Sequence, residues 1–66
     1  MNVHDANRIL NELGYDNFIP TSVGFDRFRA ILSEDNNKIA EIEIQVVLSE
    51  SLTIYKPEKF YNVEEN

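Results

Sequence analysis

The sequence predicts an α+β fold in which one N-terminal helix packs on one face of a three-stranded antiparallel meander. Apolar residues spaced three and four apart near the N-terminus indicate the helix. Two later runs of alternating apolar and polar residues, separated by turn-forming residues 35–37, indicate a β-hairpin. A third apolar run begins at Leu52, and residues 58–66 leave room for a short fourth element at the C-terminus.

Length and composition restrict the class of protein. The 66 residues predict a single small domain spanning 1–66, near the lower size limit for folding alone. The chain contains no cysteine, so neither disulfides nor thiolate metal ligands stabilise it, as is usual in the reducing cytosol. The sequence has no signal-peptide pattern and no apolar run long enough to span a membrane, so we expect a cytoplasmic protein.

The net charge of −6 limits the partners that we expect. A chain with this excess of acidic residues repels the phosphates of nucleic acids and of anionic membranes. The basic residues also form no run along the chain. The sequence therefore predicts neither direct nucleic-acid binding nor membrane binding, and it favours solubility or a basic protein partner.

The predicted helix covers residues 3–13. Asn2 is suited to the N-cap, Asp5 adds negative charge to the first turn, and Gly14 suits the left-handed residue that ends a helix. The apolar stripe that should face the core consists of Val3, Ala6, Ile9, Leu10 and Leu13.

Residues 15–24 predict a loop that leads from the helix to the sheet. Pro20 removes one backbone donor and pushes Ile19 towards extended geometry. An alternative interpretation makes residues 22–32 a second helix, because short apolar runs fit either period.

The hairpin register follows from burial and charge. We expect a three-residue loop at 35–37 with Asn37 in the left-handed conformation, because this register buries one face and pairs opposite charges on the other. The predicted pairs are Glu34 with Lys38, Leu32 with Ala40, Ile31 with Glu41, Ala30 with Ile42, Arg29 with Glu43 and Phe28 with Ile44.

A second three-residue loop, at 49–51, is expected to lead into the third strand. It would place Ile54 beside Val46 on the helix-covered face and Tyr55 on the other face. Pro57 is expected to end this strand at the edge of the sheet. The helix should then cover Phe28, Ala30, Leu32, Ile42, Ile44, Val46 and Ile54.

Residue patterns for a reactive site are weak throughout the sequence. His4 has no second histidine or cysteine with which to complete a zinc site, and residues 34–37 lack the spacing and the glycine of a calcium loop. Glu41 and Glu43 resemble a carboxylate pair, but they are expected to pair with Arg29 on an open strand face. We therefore expect no catalytic residue, no cofactor and no metal.

The favoured function is a non-enzymatic protein-binding module that acts as an inhibitor, adaptor or regulator. The second sheet face is not covered by any predicted element, and it mixes aromatic, aliphatic and charged residues as interfaces do. We expect it to bind a protein partner, or a second copy of the chain in a homodimer. The candidate partner-binding residues are Phe25, Arg29, Ile31, Glu41, Glu43, Val47 and Tyr55.

Three alternatives remain open. Phe60, Tyr61 and Val63 of the C-terminal tail could fold back over the second face. The chain could be a nucleic-acid mimic that occupies the basic groove of a DNA- or RNA-binding protein, although its acidic residues are scattered along the sequence. A small enzyme or small-ligand binder is the least favoured reading, because so thin a layer hardly encloses a pocket.

Overall fold

The fold contains the predicted helix and an antiparallel meander. The structure, a computed structural model, describes residues 1–60. The strands form one antiparallel sheet whose spatial order is the order along the chain, so the α+β class is confirmed. Predictions for Tyr61, Val63 and the side chain of Phe60 lie outside the described residues. The elements are α1, Val3–Leu13; β1, Ile19–Val23; β2, Arg27–Glu34; β3, Asn37–Ser49; and β4, Leu52–Phe60.

Helix α1 begins and ends where the sequence predicts. The Asp5 backbone N–H donates to the Asn2 side chain at 3.0 Å, and the Asn2 N–H donates to the Asp5 carboxylate at 3.2 Å. This reciprocal pair satisfies two donors at the helix start. Gly14 has a φ of 85°, a conformation that glycine adopts without strain, and the Tyr15 N–H after it donates to the Leu10 carbonyl at 2.8 Å.

The hydrophobic core lies between α1 and one side of the sheet, which we call the helix face. Among the described residues, none of the fully buried side chains is polar. The opposite side of the sheet is not covered by α1, and we call it the open face. The core residues, each at most 3% exposed, are Ala6, Ile9, Leu10, Phe28, Ala30, Ile42 and Ile44.

Strands β2 and β3 pair in the predicted register along most of their length. Phe28 lies opposite Ile44 on the helix face, and Arg29 lies opposite Glu43 on the open face. The prediction was correct here because burial and charge favour the same alignment, and a slip of one residue would reverse both faces.

The loop between β2 and β3 is shorter than predicted. It contains Asp35 and Asn36, whose φ values of 54° and 66° are both left-handed, as in the type I′ turns that suit hairpins. Asn37, the predicted left-handed residue, instead pairs with Glu34. A β-bulge near the loop, at which Ile39 has no partner in β2, restores the predicted register for the rest of the pair.

The loop between β3 and β4 is also shorter than predicted. Ser49 pairs with Leu52, so the loop contains only Glu50 and Ser51. Glu50 takes the left-handed conformation with a φ of 55°. The predicted three-residue loop is therefore wrong, and the change of one residue reverses the faces of β4.

The shorter loop places Tyr55 opposite Val46 and Ile54 opposite Val47. Tyr55 therefore lies on the helix face, where it packs against the core, and Ile54 lies on the open face with 40% exposure. Both assignments are the reverse of those predicted. In residues 52–56, apolar side chains occur at even and odd positions alike, so alternation alone could not choose the face.

The outer strands hold both prolines of the chain. Residues 19–23, which the sequence predicts to be a loop, form β1 and pair with β2, and β2 takes the place of the alternative second helix. Pro20 lies in β1 and Pro57 lies in β4. Pro57 does not end its strand as predicted, since β4 continues to Phe60. Proline is tolerated at these positions because an edge strand needs hydrogen bonds on one side only.

Candidate functional site

The open face is crossed by a ladder of ion pairs between β2 and β3. The Arg29 guanidinium lies 3.6 Å from a carboxylate oxygen of Glu43 and 3.7 Å from one of Glu41. Arg27 lies 3.4 Å from the other oxygen of Glu43. Glu43 of β3 therefore lies between two cations of β2, Arg27 and Arg29.

The ladder continues at both ends. Lys38 lies 3.2 Å from Glu41 at one end, and Arg27 lies 3.3 Å from Asp26 at the other. The Gln45 side-chain amide also donates to Asp26, at 3.5 Å. The hydrogen bond that Arg27 donates is the main cause that lowers the pKa of Asp26 below its ordinary value.

The arginine side chains shield the carboxylates from water. The Glu41 and Glu43 side chains are only 20% and 17% exposed, whereas those of Arg27 and Arg29 are about half exposed. The aliphatic parts of long basic side chains cover surface in this way while their charged ends remain in water. The result is a charged surface whose carboxylates already have partners.

Apolar side chains flank the ladder on the open face. Ile31 is half-buried and pairs with Ile19, which is 59% exposed. At the other end Val47 is half-buried and pairs with Ile54. Phe25 is 93% exposed in the turn between β1 and β2, next to Asp26 of the ladder. The open face therefore combines a charged centre with apolar ends.

Most of the predicted partner-binding residues share the open face. Tyr55 is the exception, because it lies on the helix face near α1. There Tyr55 interacts with Arg8 of α1. A hydrogen bond to the Tyr55 side chain is the largest cause that raises the pKa of Arg8, and a hydrogen bond to the Glu12 carboxylate is the second. The residues that the structure brings together on the open face are Arg29, Ile31, Glu41, Glu43 and Val47, with Phe25 at its margin.

Sequence reasoning missed Ile54 and Ile19 as open-face residues. The β-branched residues Ile19, Thr21 and Val23 favour a strand over residues 19–23, and that assignment would have placed Ile19 on the open face. No signal in residues 52–56 favours Ile54 over Tyr55 for this face, because the choice depends on the length of the preceding loop.

The open face also carries one depression. A shallow depression of about 290 Å³ lies over β3 and β4 and is lined by charged and polar side chains, among them Gln45, Lys56 and Glu58. His4 is exposed in the first turn of α1. Within residues 1–60, no group of three or more histidine, cysteine, aspartate or glutamate side chains could hold a metal ion.

Within residues 1–60, no helix is both long and apolar enough to cross a membrane.

Comparison with other proteins does not extend this description. No family model, curated protein or solved structure matches the chain.

Proposed function

We propose that the chain is a non-enzymatic protein-binding module whose open face recognises a protein partner, and that it acts in the cytoplasm as an inhibitor, adaptor or regulator. The observation that carries this proposal is the composition of the open face, where a ladder of paired charges lies between exposed apolar side chains. Interfaces use aromatic and aliphatic side chains for affinity and fixed charges for orientation and selectivity.

Phe25 and Ile54 supply the apolar anchors. Phe25 is 93% exposed and Ile54 is 40% exposed, and both lie towards the same end of the open face. A large apolar side chain held in water is available for burial by a partner, and aromatic rings are frequent among the residues that dominate binding energy.

The ladder supplies orientation and selectivity. Because Arg29 and Glu43 hold each other in place, a partner meets charges whose positions are already fixed, and this lowers the entropy cost of binding. A partner that places like charge opposite either residue is disfavoured, so the pattern rejects wrong surfaces as well as accepting the right one.

The charges of the open face are balanced. The whole chain has a net charge of −6, so its excess of acidic residues lies elsewhere and can attract a basic partner over a distance. The nucleic-acid mimic stays a prediction, and no excess of carboxylates on the open face supports it. The balanced set consists of Asp26, Glu41, Glu43 and Glu58 with Arg27, Arg29, Lys38 and Lys56.

Site-specific photo-crosslinking in the native cell tests the proposal. A photoreactive p-benzoylphenylalanine in place of Ile54 should give a crosslinked product with a defined protein. The same group in place of Asn11, which is exposed on α1, is the matched control and should not. The Arg29→Glu substitution should reduce the Ile54 product.

The outcomes distinguish the candidate functions. A partner whose capture is unaffected by added DNA or RNA supports the binding module. Loss of the product when nucleic acid is added would favour the mimic. Equal products from both positions, or none from either, would contradict a role for the open face.

A further inference from the structure

The end of the β3–β4 hairpin is held by its own two strands. Strand β2 pairs with β3 only as far as Arg27 opposite Gln45, whereas β3 continues to Ser49. Within residues 1–60, no third strand lies beside residues 47–54, which we call the hairpin end. A two-stranded hairpin is only marginally stable in water without further packing, so the register of the hairpin end depends on its own loop and side chains.

The loop of this hairpin does not favour one register strongly. Glu50 is left-handed, with a φ of 55°, whereas Ser51 is not. In a three-residue loop over 49–51 the third residue, Ser51, would be the left-handed one. Neither residue type favours that conformation, since glycine adopts it routinely and asparagine or aspartate occasionally. The two-residue and three-residue loops therefore differ little in backbone strain.

The side chains of the hairpin end also fit either register. In the structure Leu48 is 77% exposed, Leu52 is 66% exposed and Ile54 is 40% exposed. A three-residue loop would instead pair Leu52 with Leu48 and would place Ile54 beside Val46, all on the helix face. The aliphatic surface that is buried in this way offsets the loss of packing of Tyr55 against the core.

A groove beside Val46 has room for the Ile54 side chain. It lies on the helix face between α1 and strands β3 and β4, has a volume of about 400 Å³ and includes Ile9 in its lining. Arg8 also lines the groove, and it would lose its hydrogen bond to Tyr55 in the other register. It would keep its two ion pairs within α1, so the change leaves no charge without a partner there.

The rest of β4 is held in its observed register by its charged residues. Lys56 and Glu58 lie on the open face, and a shift of the whole strand by one residue would turn both towards the buried residues of β3. Burial of unpaired charges is costly. A bulge at Tyr55 confines the shift to the hairpin end, and the same sheet already contains such a bulge at Ile39.

We propose that the hairpin end of the free protein exchanges between these two registers, and that the minor register brings Tyr55 to the open face. In the minor register the loop contains residues 49–51, and Ile54 lies beside Val46 on the helix face. Tyr55 and Lys56 both lie opposite Gln45, because two residues of a bulge oppose one residue of the partner strand. The minor register is populated at roughly 1–10%, as is usual for such states.

The exchange gives the open face two alternative sets of side chains. One register presents Leu52 and Ile54 there, and the other presents Tyr55. A partner that binds one set more tightly shifts the protein into that register, to the extent of the difference in affinity. This consequence rests on the proposed function, whereas the exchange is a property of the free protein and is measured without a partner.

Two adjacent glycine substitutions test the proposal because they favour different loops. Glu50→Gly relieves the left-handed residue of the two-residue loop and should lower the minor population about fivefold. Ser51→Gly relieves that of the three-residue loop and should raise the minor population about fivefold. The matched control is Asn36→Gly, which places glycine at a left-handed position of the other hairpin and should leave the exchange unchanged.

Methyl relaxation dispersion of the full chain measures the exchange, which we expect on the microsecond to millisecond timescale. The methyl groups of Val46 and Ile54 should show it, and those of the core residue Ile42 should not. In Ser51→Gly, nuclear Overhauser effects between Ile54 and Val46 should appear and those between Tyr55 and Val46 should weaken.

Opposite responses of the two loop variants support the proposal. It would be overturned if Ser51→Gly showed neither methyl exchange nor the contact between Ile54 and Val46, or if both loop variants changed the exchange in the same direction. Exchange that includes Ile42 and falls in Asn36→Gly would also overturn it, because the motion would then be unfolding of the whole chain. None of these outcomes depends on a partner, so they leave the crosslinking test of the proposed function independent.

Discussion

Arg29 and Glu43 lie directly opposite each other on β2 and β3, with 3.6 Å between a guanidinium nitrogen and a carboxylate oxygen. Each also has a second partner, because Arg29 reaches Glu41 and Glu43 reaches Arg27. The pair is thus the centre of a network, and its neighbours determine how it responds to mutation.

The network predicts the outcome of a double-mutant cycle. We expect Arg29→Gln and Glu43→Gln to show a coupling of about 0.2–1 kcal/mol in the free energy of unfolding, which is usual for cross-strand pairs. Exchanging the two charges should recover little stability, because the new arginine at 43 would face Arg27 and the new glutamate at 29 would face Glu41. Urea unfolding of the single and double variants measures both effects. Zero coupling would mean that the two side chains do not interact.

The first hairpin loop gives a prediction about glycine. Asn36 has a φ of 66°, so Asn36→Gly should raise the free energy of unfolding by up to about 1 kcal/mol. Asn37→Gly is the matched control and should lower it by about 0.5–1 kcal/mol, because Asn37 is in β3. Thermal unfolding compares the two. If Asn37→Gly were the stabilising variant, the loop would have the three residues that the sequence predicts.

The lowered pKa of Asp26 predicts a pH dependence. The folded state favours the carboxylate, so this group adds stability above its ordinary pKa of 3.8, and the contribution is lost as the pH falls through the lowered value. Asp26→Asn should therefore reduce the urea midpoint at neutral pH, and the difference from wild type should vanish in strong acid. A difference that persists at low pH would assign the effect to the side-chain shape rather than to its charge.

Burial predicts different costs for two aliphatic residues on opposite faces of β3. Ile44 is fully buried, so Ile44→Ala should cost about 2–5 kcal/mol of unfolding free energy. Val47 is half-buried on the open face, and Val47→Ala should cost far less. Because so small a domain is marginally stable, Ile44→Ala should leave much of the chain unfolded at room temperature. Similar circular dichroism melts for both variants would show that the faces are assigned wrongly.

The helix, the core and most of the β2–β3 register could be predicted because several signals agree there. Asn2 and Gly14 mark the ends of α1, and alternation in β3 gives Ile42 and Ile44 to one face. Charge pairing of Arg29 with Glu43 favours the same alignment. A strand register can be predicted from sequence when capping, alternation and charge pairing all favour the same structure.

Loop length could not be predicted with the same success. The left-handed conformations of Asp35, Asn36 and Glu50 shorten both loops, and nothing in the propensity of glutamate favours such a conformation. In the first hairpin a bulge compensates, so the error does not reach the rest of the sheet. In the second hairpin nothing compensates, so Ile54 and Tyr55 exchange faces.

The same difference between the two hairpins explains which residues of the candidate site were placed correctly. Arg29, Ile31, Glu41 and Glu43 lie in the part of β2 and β3 whose register was predicted correctly, and they meet as expected. Tyr55 lies after the second loop and was therefore assigned to the wrong face. The exposed end of the β3–β4 hairpin was not foreseen, since it depends on how far β3 extends beyond β2.

The account depends most on the register of β4, which decides which side chains reach the open face. Nuclear Overhauser effects between side chains in the free protein measure it directly. We expect contacts between the Tyr55 ring and the Val46 methyl groups, and between Ile54 and Val47, as the cross-strand pairs require. Contacts of Ile54 with Val46, and none between Tyr55 and Val46, would show that the loop has three residues and that the open face is not the one described.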